Sequence, residues 1–77
     1  MNDMSPIAIR LTSDRAKTIL EAAGATEVHI KAKHPKMWAF FTYWGKGWVW
    51  VLRDRAFERN FAQDVEREFK SANERAA

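Results

Sequence analysis

The 77-residue chain contains no cysteine. That excludes a disulfide framework, thiolate nucleophiles and zinc–thiolate centres, and it suits a reducing compartment, so a cytoplasmic location is expected. Its apolar runs are short. None approaches the roughly 18 residues that a membrane-spanning helix needs, so no membrane partner is expected. The opening Met1-Asn-Asp-Met-Ser-Pro6 has neither the basic start nor the apolar stretch of a secretory signal. With two prolines and three glycines there is no linker, repeat or low-complexity tract. A chain of this length predicts one small domain over 1–77, with loose ends at 1–5 and 73–77. Such a domain buries only about 60% of its unfolded surface, so marginal stability is expected.

Reactive side chains are also scarce. His29 and His34 are the two histidines, with Glu27 the only carboxylate nearby, which is too few ligands for a metal site. Nothing supplies the further members of a catalytic set around either histidine. Asp64 and Glu68 share a helix face, but Arg67 and Lys70 stand beside them. This reads as a solvated face with i,i+4 pairs rather than a cation site. Gly45-Lys46-Gly47 lacks the spacing and the following helix of a phosphate-binding loop. No catalytic, metal-ligating or cofactor-binding residue is expected, and the chain reads as non-enzymatic.

What the sequence does have is aromatic surface, concentrated in one place. All four tryptophans lie in Trp38–Leu52. Two aromatic and β-branched runs flank Gly45 and Gly47, which is the pattern of a β-hairpin. A three-residue loop at 45–47 pairs Trp44 with Trp48, Thr42 with Trp50 and Phe40 with Leu52. Alternation then places Met37, Ala39, Phe41, Tyr43, Val49 and Val51 on one face. Trp38, Phe40, Thr42, Trp44, Trp48, Trp50 and Leu52 fall on the other. Upstream, Thr26–Lys33 alternates Val28, Ile30 and Ala32 against Glu27, His29, Lys31 and Lys33. A two- or four-residue turn around His34-Pro35 joins Val28 and Ile30 to the aliphatic face, and His29, Lys31 and Lys33 to the tryptophan face. A three-residue loop or a bulge inverts this.

Two helices flank these strands. Thr12 or Ser13 caps the first, Ala16, Ile19, Leu20 and Ala23 form its apolar stripe, and Gly24 ends it. Asp54 is placed to cap the second, whose buried stripe is Phe57, Phe61, Val65 and Phe69. Pro6–Leu11 alternates Ile7, Ile9 and Leu11 against Ala8 and Arg10, and allows a fourth, short N-terminal strand. The predicted fold is α+β, in the order (β)αβββα: a three-stranded antiparallel meander with two helices on one face.

The αβββα order is similar to that of double-stranded RNA-binding domains and of small HicA-type toxins. The basic helix start of the former is absent, since the last helix opens Asp54-Arg-Ala-Phe-Glu-Arg. The Gly-Ser-His signature of the latter is absent too, Lys33-His34-Pro35 standing there. The resemblance covers element order alone.

Two helices cover one sheet face, so the other is left open to a partner. Trp38, Phe40, Trp44, Trp48 and Trp50 are the expected ring platforms, with Lys31, Lys33, Lys36 and Lys46 around them. The formal net charge is +3, and residues 1–53 carry eight Lys/Arg against four Asp/Glu. The expected function is a binding protein that docks this face on a protein or nucleoprotein complex, to regulate or inhibit it, as small accessory proteins of mobile elements do. Self-association into a homodimer is a related use of the same face. The alternative is a single-stranded nucleic-acid module that stacks bases on the rings and neutralises phosphates with the lysines.

Overall fold

The computed structural model describes residues 9–53 and 56–76. The elements run α1 (Ser13–Ala22), β1 (Thr26–Lys33), β2 (Lys36–Tyr43), β3 (Lys46–Arg53) and α2 (Glu58–Ala76). The strands form one antiparallel sheet in the order β1-β2-β3. The fold is therefore α+β with the expected αβββα order. Of the N-terminal strand the sequence allowed, residues 6–8 lie outside the described residues. Residues 9–11 do not join the meander. They pair with the start of α2 through an Arg10–Phe57 bridge, with Leu11 N–H donating to Ala56 and Glu58 N–H donating to Ile9. The Asp54 cap also lies outside the described residues.

α1 begins where the Thr12 hydroxyl accepts from Arg15 N–H at 3.2 Å, satisfying one of the unpaired donors of the first turn. It ends at Ala23, followed by Gly24 at φ 109°. Two features favour glycine there. The φ is left-handed, and a Cβ would stand 3.3 Å from the Tyr43 ring. α2 continues to Ala76, through residues expected as a loose end. Its last turns are held where Tyr43 Oη and Asn73 Oδ1 are hydrogen-bonded at 3.0 Å.

Both helices lie on one side of the sheet. Ala16 and Leu20 of α1 and Phe61, Val65 and Phe69 of α2 are buried with Ala39, Phe41 and Tyr43 of β2. Phe69 is central: its ring stacks on Tyr43 with centroids 3.8 Å apart and meets Phe41 at 5.7 Å. The fold is two layers thick, and its shortest dimension is 15 Å. Among the described residues nothing covers the sheet face opposite the helices.

The register of β2 on β3 differs from the sequence expectation. The loop has two residues, Trp44 and Gly45, both at positive φ (55° and 74°), which is the type I′ geometry of the tightest hairpins. Gly47 is an ordinary strand residue, paired with Thr42. Tyr43 therefore pairs with Lys46, Phe41 with Trp48, Ala39 with Trp50 and Met37 with Leu52. A change of register by an odd number of residues moves every side chain of a strand to the opposite face. Trp48, Trp50 and Leu52, expected on the open face, lie under the helices, and Val49 and Val51 take their place outside.

Candidate docking face

The open face is built from alternate residues of three strands, and the register arranges them in rows. At one end, Lys33 of β1, Lys36 of β2 and Arg53 of β3 stand directly opposite one another. The next row is Lys31, Trp38 and Val51. The third is His29, Phe40 and Val49, and the last ends in Thr42 and Gly47. Charge is thus graded along the strands, from a fully cationic row to an apolar centre.

Each row follows from local structure. The β1–β2 turn at His34-Pro35 closes on the Lys33–Lys36 pair, and the His34–Pro35 peptide is cis. This two-residue turn gives the face assignment expected for β1: His29 and Lys31 flank Phe40 and Trp38. The register is irregular only beyond His29, where Glu27 adopts φ 53° in a bulge. That bulge leaves the assignment of His29, Lys31 and Lys33 intact. It also turns the Glu27 carboxylate to the far end, where Oε1 accepts from the Thr42 hydroxyl at 3.4 Å.

The apolar centre is open to solvent. Val49 is 62% accessible, Val51 52% and Phe40 37%, while Trp38 is half-buried. The four form two cross-strand pairs, Phe40 with Val49 and Trp38 with Val51. The His29 ring lies tilted beside Phe40, at 6.5 Å between centroids. Like charges directly opposite one another repel. The Lys33–Lys36–Arg53 row pays this cost, for none of the three has an ion pair among the described residues. Glu27 is the face's only carboxylate among the described residues, and it stands at the opposite end from the row.

Of the residues expected at the site, Trp38, Phe40, Lys31, Lys33 and Lys36 are together on this face. Trp48 and Trp50 are not. Trp48 lies among Phe41, Tyr43 and Phe69, with its centroid 5.5 Å from Phe69. Trp50 meets Phe61 edge-on at 5.5 Å. Their indoles extend the core beneath α2. Trp44 is in the turn and 66% exposed, and Lys46 pairs with Tyr43 on the helix side. Both are near Arg75 at the hairpin tip rather than on the open face. Val49, Val51 and Arg53 were missed. Reading Trp44-Gly45 as a two-residue turn would have found them, since Gly45 suits its second position, but an aromatic residue at the first gives no such signal.

Among the described residues there is no cluster of three or more His, Asp or Glu able to hold a metal ion. No described helix is long and apolar enough to cross a membrane. No protein-family model, curated protein or solved structure matches this chain.

Proposed function

We propose that the chain is a non-catalytic binding protein whose open sheet face docks on an acidic protein surface with an apolar centre, and that this occupancy regulates or inhibits the partner. The observation that carries the reading is the pair of exposed cross-strand contacts, Phe40–Val49 and Trp38–Val51, bordered by Lys31, Lys33, Lys36 and Arg53. An apolar centre with a polar rim is how specific protein interfaces are built. Trp38 and Phe40 are of the residue types that anchor interfaces. The cations, without an ion pair among the described residues, favour a partner with carboxylates facing them, chiefly through faster and more selective encounter. The valines separate this reading from base stacking: a β-branched side chain packs against protein surface but offers a base no π-face.

The test is affinity capture with face variants. Wild-type protein and a helix-face control, Arg59→Glu, should retain the same partner. Phe40→Asp and the double variant Lys33→Glu/Lys36→Glu should lose it while keeping wild-type circular dichroism. Retention by both face variants would overturn the proposal.

Single-strand nucleic-acid binding is supported by one specific arrangement. Trp38 and Phe40 are alternate residues of the central strand, so both rings face the same side, with Lys31 directly beside Trp38. This is the arrangement by which sheet surfaces stack successive bases. Titration with a mixed-sequence single-stranded oligonucleotide decides it. Tryptophan quenching that weakens steeply with salt, and is lost in Trp38→Ala, would favour this reading over the first.

A further inference from the structure

We infer that the outer edge of β3 pairs with β3 of a second copy of the chain, antiparallel and about a two-fold axis, to make one continuous six-stranded sheet. This goes beyond the docking face, because it rests on the sheet's edge and not on its surface.

The two edges of the sheet differ in a telling way. An open edge presents unpaired N–H and C=O groups, and monomeric proteins blunt such edges with bulges, charges and proline. β1 carries these devices: a bulge at Glu27, and Lys31 and Lys33 in alternation. β3 carries none between its ends. Its interior is Gly47-Trp-Val-Trp-Val-Leu52, with charge only at Lys46 and Arg53. Its register with β2 is unbroken.

The hairpin fixes which groups are free. Tyr43 and Lys46 are the last pair around a two-residue turn, so they exchange both hydrogen bonds, and bonded pairs alternate from there. Residues 46, 48, 50 and 52 therefore point their amides at β2. Gly47, Val49, Val51 and Arg53 point theirs outward.

Symmetry then narrows the pairing. Antiparallel strands meeting edge to edge are related by an axis perpendicular to the sheet, so both copies keep their helices on the same side. Residues opposite one another share a face. Centring the axis on Trp50 sets Val49 against the second copy's Val51, and Trp48 against its Leu52, while the outward amides of 49 and 51 bond across. Moving the axis to Val49 would set Lys46 against Leu52.

Charge supports a second copy rather than a foreign strand. A groove of about 340 Å³ runs between the β3 edge and Asp64, Arg67 and Glu68 of α2. Arg67 bonds Asp64 at 2.9 Å and lies 3.9 Å from Glu68, and all three are substantially exposed. A patch holding both signs can be self-complementary under a two-fold axis, where the arginine of one copy could also face the carboxylates of the other.

Sedimentation over a concentration series, combined with amide hydrogen exchange, tests the pairing. The expected result is a species of twice the 9.0 kDa chain mass. In it, the Val49 and Val51 amides should exchange at least tenfold more slowly than in the dilute monomer. Val51→Pro, which removes an outward amide only, should weaken the dimer at least tenfold. A chain that stays monomeric into the millimolar range overturns the inference. So does a dimer whose Val49 and Val51 amides exchange as fast as in the monomer, and that readout holds even if the proline variant fails to fold.

Discussion

Phe41 stands opposite Trp48 across the second hairpin, with ring centroids 5.6 Å apart and planes inclined by only 22°. This pair records the register, because Phe41 is fully committed to the core and carries Trp48 there with it. Two tryptophans thereby become structural, and the valines between and beyond them become the outward surface.

Truncating the core tryptophans should therefore cost stability. Phe or Trp to Ala in a core typically costs about 3–5 kcal/mol. Trp48→Ala and Trp50→Ala, each half-buried against α2 rings, should lose about 3 kcal/mol in urea unfolding. That is a large share of the roughly 5–15 kcal/mol of a whole domain. Trp38→Ala, on the open face, should lose about 1 kcal/mol, on the order of a surface cross-strand pair. Equal losses at Trp38 and Trp50 would contradict the face assignment.

Trp44 holds φ 55° in the turn while 66% exposed. A non-glycine side chain in the left-handed region costs about 1–2 kcal/mol, and asparagine before glycine is the favoured type I′ sequence. Trp44→Asn should raise stability by about 1 kcal/mol, an increase of about 4–8 °C in Tm for a domain of this size. A lowered Tm would show that the indole holds the hairpin tip through its packing.

Arg15 of α1 donates to Glu58 of α2 at 2.8 Å, tying the starts of the two helices together. That hydrogen bond, aided by the guanidinium charge and opposed by partial desolvation, holds the Glu58 carboxyl below the usual glutamate range. A pKa lowered in the folded state stabilises the fold above the unfolded pKa. The contribution is lost as pH falls through the folded value. Because the pair is solvent-exposed, the effect on stability is small. NMR titration should find Glu58 protonating below ordinary glutamates, and Arg15→Met should return it to their range. A midpoint unmoved by the substitution would contradict the assignment.

Much of this was legible from residue pattern alone. The alternation of Val28, Ile30 and Ala32 against His29, Lys31 and Lys33 gave β1 its faces. The four-residue spacing marked Phe61, Val65 and Phe69 as the buried stripe of α2, but Phe57, expected to begin it, precedes the helix, pairs with Arg10 and is exposed. Thr12 and Gly24 marked the ends of α1. The hairpin register was not legible. Gly45 and Gly47 both invite a turn, and only the cost of seating Trp44 at positive φ separates the two-residue loop from the three-residue one. The tertiary context decides: with Trp48 and Trp50 inward, four more ring contacts reach α2 and β2, and Val49 and Val51 go out instead. The open face kept Trp38, Phe40 and three of the four expected lysines, gained Val49, Val51 and Arg53, and lost three of its four tryptophans.

The proposed docking face depends on which β3 side chains share a surface with Trp38 and Phe40, and nuclear Overhauser contacts measure that directly. The expected contacts run from the Val49 methyls to the Phe40 ring, from the Val51 methyls to the Trp38 ring, and from the Trp50 indole to the Phe61 ring. Contacts from Trp50 to Thr42 and from Leu52 to Phe40, with the valine methyls instead near the α2 rings, would put the tryptophans outside and contradict the face described here.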